Sequence, residues 1–156
     1  MAATYNNLYL DARKRLREAG VEGAQLEARE LVCCAAGKSR EQFYRDMALY
    51  ASDPVEEKLA ELLERRLAGE PVAYLIGEWE FYGLGLDITP DVLIPRMDTE
   101  VLAERAILLA RAAGEGARVL DLCAGSGCVG LAVAANVPGC RVVLADVSEA
   151  ALRLCK

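Results

Sequence analysis

The sequence predicts an α + α/β chain: an N-terminal helical bundle, a β-hairpin linker and the first βαβ part of a parallel-sheet domain. Three observations carry this prediction. Four amphipathic stretches with helical spacing occupy roughly the first seventy residues. The composition then changes at Glu70-Pro71, where short alternating runs broken by glycine begin. Further on, two apolar runs, Arg118 to Leu122 and Arg141 to Asp146, flank a glycine turn and an apolar helix. The boundaries read as 1-70 for the helical domain, 71-91 for the linker and 92-156 for the parallel-sheet part.

Bulk properties narrow the function. The chain of 156 residues is 54% hydrophobic and 27% charged, the balance of a globular protein rather than a disordered one. A net charge of −6 argues against a broad basic surface for nucleic acid. Local basic clusters such as Arg13-Lys14-Arg15 and Arg65-Arg66 read as solvated helix faces. No run approaches the ~20 apolar residues of a membrane span, and Met1 to Leu10 lacks the pattern of a secretory signal, so the cytoplasm is the expected location. The six cysteines (Cys33, Cys34, Cys123, Cys128, Cys140, Cys155) form no C-x-x-C pair, and histidine is absent. No metal site is expected, nor any Ser-His or Cys-His catalytic pair. Most of the cysteines read as small buried hydrophobes in a reducing compartment.

The elements follow in order. Residues 4–19 place Tyr5, Leu8, Tyr9, Ala12, Leu16 and Ala19 on one helical face, ended by Gly20. A second helix from Ala24 turns Leu26, Leu31, Val32 and Ala35 inward and stops at Gly37. Ser39 and Gln42 form a capping box for a third. Asp53 caps a fourth, with Pro54 at its first position and an apolar stripe of Val55, Leu59, Leu62, Leu63 and Leu67. Pro71 to Gly77 is a helical turn ending in glycine. Glu78 to Tyr82 and Leu86 to Thr89 are hairpin strands joined through Gly83-Leu84-Gly85. Pro95 bends the chain, and Asp98 or Thr99 caps a helix carrying Val101, Leu102, Ile107 and Leu108. Ser148 caps the last helix.

Chemistry concentrates between the two apolar runs. Asp121-Leu122-Cys123-Ala124-Gly125-Ser126-Gly127 joins a strand to a helix start through small residues, which lets backbone approach a ligand beside unpaired N–H groups. Asp146 closes the second strand some twenty residues on, where a carboxylate can accept from ribose hydroxyls. Glycine turn and distant acid together point to a nucleotide-type ligand without separating NAD from S-adenosylmethionine.

The whole pattern narrows the choice. Pro71-Val72-Ala73-Tyr74-Leu75-Ile76-Gly77, Glu80-Phe81-Tyr82-Gly83, Leu93-Ile94-Pro95-Arg96-Met97-Asp98-Thr99-Glu100 and the Asp121 loop together resemble the release-factor glutamine N5-methyltransferases of the HemK/PrmC family. The resemblance covers nearly all of the chain and implies a Rossmann-like methyltransferase domain that uses S-adenosylmethionine. It implies as substrate the glutamine in the Gly-Gly-Gln loop of a peptide chain release factor. Carried over by position, Cys123, Ala124, Gly125, Ser126 and Gly127 would wrap the methionine part of the cofactor. Asp146 would hold its ribose, Asp121 would shape the loop, and Pro95, Arg96, Thr99 and Glu100 would border the site.

Two departures stand out. Cys123 and Ala124 replace the first glycine and the threonine of the family's loop, and Cys123 is strained if its position needs positive φ. The family's Asn-Pro-Pro-Tyr motif, which grips the substrate amide, does not occur in this sequence, so no catalytic residue is assigned. The chain is expected to be an incomplete methyltransferase domain, inactive alone, whose open sheet edge invites self-association. The alternative is a protein-binding helical module with a non-functional cofactor half-site. An NAD enzyme is a weaker third reading.

Overall fold

A computed structural model describes residues 3–155 as two compact units, the first ending at Ile76 and the second beginning at Gly77. The first unit contains α1 (Tyr5–Glu18), α2 (Ala24–Ala36), α3 (Arg40–Asp46), α4 (Asp53–Leu67) and α5 (Val72–Ile76). Helix α2 is its centre and packs against each of the other four. Leu16, Ala28, Leu31, Val32, Phe43, Leu59, Leu62 and Leu63 are buried in this unit. Leu26, expected inside, is 45% exposed, and Ala19 lies outside as the C-cap of α1.

Local signals set most helix ends. The Ser39 hydroxyl accepts from Gln42 N–H while the Gln42 side chain accepts from Ser39 N–H, so both halves of the capping box form. Gly37 takes a left-handed conformation and passes the N–H groups of Gly37 and Lys38 to the carbonyls of Cys34 and Cys33. Thr4, not anticipated, caps α1 through Asn7 N–H. Asp53 does not cap α4: Ser52 stands at the N-cap without a side-chain bond, and Asp53 is the first helical residue, where its charge still suits the helix dipole.

The second unit contains β1 (Glu78–Phe81), β2 (Leu84–Asp87), α6 (Thr99–Ala113), β3 (Arg118–Leu122), α7 (Cys128–Asn136), β4 (Arg141–Ala145) and α8 (Glu149–Leu154). Strands β1 and β2 pair antiparallel with Phe81 opposite Leu84, so the turn is Tyr82-Gly83 rather than Gly83-Leu84-Gly85. Both turn residues have positive φ (51° and 75°), the two-residue geometry whose twist matches that of the strands it joins. Strands β3 and β4 are parallel, with Asp121 beside Leu144 and Leu122 beside Ala145.

Helix α7 lies on one face of β3 and β4, and α6 packs against α7. Ile107, Ala110, Val133 and Val137 form the buried cluster there, with Val119, Val142 and the Tyr82 side chain against it. The opposite row, Leu120, Leu122 and Val143, is more than half exposed. Helix α6 buries Ala103, Ile107 and Ala110, whereas Val101, Leu102 and Leu108 are exposed. The thiols also depart from the sequence reading. Only Cys33 and Cys128 are buried, Cys123 is exposed, and all six are free.

Candidate functional site

The site is built where β3 and β4 end and α7 and α8 begin. After Leu122 the chain enters a left-handed step at Cys123 (φ 59°), repeats it at Gly125 (55°) and Gly127 (74°), and then starts α7. Position 123 therefore does require positive φ, and the cysteine there carries the strain expected of an L side chain in that region, about 1–2 kcal/mol. Ala124 and Ser126 point inward and are buried, while Cys123 and the backbone at Gly125 are left toward solvent.

Two carboxylates shape this loop. Asp146 follows β4 directly: its Oδ2 accepts from Gly125 N–H at 2.8 Å, and its Oδ1 accepts from Ser148 N–H at 2.9 Å. One side chain thus ties the glycine loop to the segment that opens α8. The N–H groups of Ser148 and then Gly125 hold the Asp146 carboxyl below the usual carboxylate range. Asp121 Oδ2 accepts from Gly130 N–H at 2.9 Å and so serves the first turn of α7, where the N-cap residue, Gly127, has no side chain to do it. The backbone completes the lacing, with Ala124 N–H to Ala145 O (3.1 Å) and Gly127 N–H to Ala124 O (2.7 Å).

Close approach makes the glycines necessary. A Cβ on Gly130 would overlap the Leu144 side chain and crowd Asp121 and Val142, so this glycine lets α7 sit directly on the sheet. A Cβ on Gly127 would stand 3.0 Å from both Cys155 Sγ and Leu144 Cδ1. Gly125, Gly127 and Gly130 stand at the spacing G-x-G-x-x-G, so glycine count does not weigh against a dinucleotide. Cys155 donates its thiol to Gly125 O at 3.3 Å, and burial pushes the Cys155 and Cys128 thiols up, away from reactive thiolate.

The loop fits a nucleotide-type ligand on its own geometry. A Cβ at Gly125 would meet nothing within 4 Å, so the backbone there is open to close approach. Beside it stands the Asp146 carboxylate, which has more acceptor sites than the backbone N–H groups of this loop fill.

The structure does not gather the remaining sequence-selected residues into that cluster by any bond. Pro95 is buried in the segment before α6. Arg96 is exposed and pairs with Asp98 at 3.0 Å, and its carbonyl accepts from Thr99 N–H. Asp98 occupies the N-cap position of α6 in helical conformation and gives no side-chain cap, because its carboxylate is turned to Arg96 and the Thr99 hydroxyl. Thr99 lies inside the helix and does not cap it either. Glu100 Oε1 accepts from Tyr82 N–H at 2.9 Å, which the sequence reading missed entirely.

Asp146→Asn tests the carboxylate clasp. A carboxyl held below its unfolded value contributes stability that is present above the ordinary carboxylate range and lost as pH falls through the depressed native value. The denaturation midpoint of the wild-type chain is expected to fall between pH 5 and 3 more steeply than that of the variant (roughly the window set by a carboxylate near 3.9). Parallel profiles would remove the clasp.

Comparison with known proteins agrees with this architecture. Residues 7–77 match the family model described as PrmC N-terminal domain, and residues 95–156 match one described as lysine methyltransferase. A release factor glutamine methyltransferase of Bordetella pertussis is 46% identical over 134 residues, 82% of this chain and 47% of that protein. One from Coxiella burnetii is 40% identical over 130 residues, 83% of this chain and 47% of that protein. One from Vibrio cholerae is 36% identical over 156 residues, 100% of this chain and 54% of that protein. The chain spans about half the length of these curated relatives. With a PrmC-type helical unit joined to methyltransferase sequence, the chain is similar over most of its length to release factor glutamine methyltransferases.

Proposed function

We propose that this chain forms the cofactor half of a protein-(glutamine-N5) methyltransferase, taking S-adenosylmethionine at the Asp121 to Gly127 loop. The observation that carries the reading is the Asp146 clasp on Gly125, which presents an open glycine backbone beside a carboxylate at the end of a parallel strand. Cys123, Ala124, Gly125, Ser126 and Gly127 border the methionine part of the ligand. Asp146 offers its remaining lone pairs to the ribose hydroxyls. Asp121 acts through the loop, because its carboxylate is already given to Gly130 N–H. When bound, the cofactor supplies a methyl group on a sulfonium. Pro95, Arg96 and Thr99 border the acceptor side. The domain limits 1-70, 71-91 and 92-156 remain our functional division of the chain.

The relatives' names support a peptide chain release factor as the acceptor partner, and our reading has the two meet in the cytoplasm with no direct contact to nucleic acid. In the family, positioning and polarising the amide nitrogen falls to the Asn-Pro-Pro-Tyr motif. That motif does not occur in these 156 residues, and we propose that the chain alone is inactive. Among the described residues β3 pairs only with β4, and the apolar face row Leu120, Leu122 and Val143 beside its open edge is exposed, which supports self-association that sedimentation would register as twice the monomer mass. A monomer at high concentration would end that proposal.

Calorimetric titration with S-adenosylmethionine is expected to give a micromolar dissociation constant, with a helical circular dichroism spectrum retained. Gly127→Val places a side chain at φ 74° against Cys155 and Leu144 and is expected to weaken binding by about tenfold or more. Labelled cofactor and release factor together should yield no methylated product. Absence of cofactor binding contradicts the half-site reading, and turnover contradicts the proposed inactivity.

A further inference from the structure

Glu100 makes a bond within the protein that its place beside the site did not announce. It stands in the first turn of α6 and sends its carboxylate across to the hairpin, where Oε1 accepts from Tyr82 N–H at 2.9 Å. Tyr82 is one of two non-glycine residues with positive φ among the described residues, and the other, Cys123, lies in the cofactor loop. A two-residue turn of this kind is ordinarily made by asparagine and glycine, which adopt left-handed geometry cheaply. Tyrosine stands here because its side chain packs against the Ile107, Ala110, Val133 and Val137 cluster of α6 and α7. The left-handed step costs about 1–2 kcal/mol. A charge-assisted bond to a backbone N–H is the kind of contact that offsets such a cost.

The consequence lies in the segment between. Residues 83–99 run from the hairpin turn to the start of α6, and the Glu100–Tyr82 bond closes them into a loop. Inside it Ile88, Val92 and Pro95 are buried anchors, whereas Leu93, Arg96 and Met97 are held at the surface. The Thr99 N–H to Arg96 O bond and the Ile88 N–H to Gly77 O bond brace its two ends. We propose that Glu100 is a positioning residue: its carboxylate locks the Tyr82-Gly83 turn to α6 and thereby fixes the loop that presents Pro95 and Arg96. This rests on the reading that Pro95 and Arg96 border the acceptor side of the site.

Amide hydrogen exchange and a pH titration followed by nuclear magnetic resonance on the full chain test it. In the wild type, Tyr82 N–H is expected to exchange slowly, and its chemical shift to follow a single carboxylate titration. Glu100→Ala should speed exchange at Tyr82 by about tenfold or more and shift the amides of Arg96 and Met97, leaving Val133 and Val137 protected. Glu100→Gln keeps an acceptor oxygen, so protection should largely return while the titration disappears. A rapidly exchanging Tyr82 in the wild type, or unchanged exchange in the alanine variant, overturns the proposal. Should the alanine variant fail to fold, the wild-type titration and the glutamine variant still decide it, and a Tyr82 shift indifferent to pH rejects it. Cofactor titration of the wild type is scored separately: its failure removes the methyltransferase reading and leaves the Tyr82 result standing.

Discussion

A single carboxylate holds the candidate site together, and its place in the topology explains why. Asp146 follows the last residue of β4, where a parallel strand hands its chain end to the loops above the sheet. From there one oxygen reaches Gly125 in the preceding loop and the other reaches Ser148 before α8. Parallel pairing of β3 and β4 puts both loops at the same end of the sheet, so the register that places Leu122 beside Ala145 also brings Asp146 within reach of Gly125. Without that pairing the glycine loop would have its left-handed steps and nothing to hold them open.

A second carboxylate does comparable work one layer down. Asp121 projects toward α7 and closes its first turn, which Gly127 cannot do. Gly130 permits this only because its missing side chain lets the helix lie against Leu144 and Val142. Both acids fold the loop, Asp146 through Gly125 and Ser148 and Asp121 through Gly130. A ligand would therefore meet groups already fixed in place, which reduces the ordering that binding must supply.

Much of this was legible in the sequence because the signals are local. Ser39 with Gln42, Gly37 after an apolar stripe, and Ser148 before the last helix each act within three or four residues. The βαβ unit was legible for the same reason, since two β-rich runs around a glycine turn permit few topologies. The partners of the loop carboxylates were less visible. Spacing placed Asp146 beside a ligand but could not show that both its oxygens accept backbone N–H groups, one of them 21 residues away. The Tyr82-Gly83 turn was misplaced because tertiary packing, not turn propensity, selects a tyrosine there. Asp98 looked like a cap and instead pairs with Arg96, a choice between two nearby partners that spacing cannot make. Helix α6 buries the row Ala103, Ile107 and Ala110 and leaves Leu102 and Leu109 to solvent, a choice of face that apolar residues on both sides of the helix do not signal.

The central claim is that a cofactor touches this chain at the Asp121 loop and Asp146. Backbone amide shifts followed as S-adenosylmethionine is added to the labelled protein test it. Saturable changes are expected at residues 121–130 and 146–148, with the helical unit before Ile76 unaffected. Changes spread over α1 to α4, or none at saturating ligand, would contradict it.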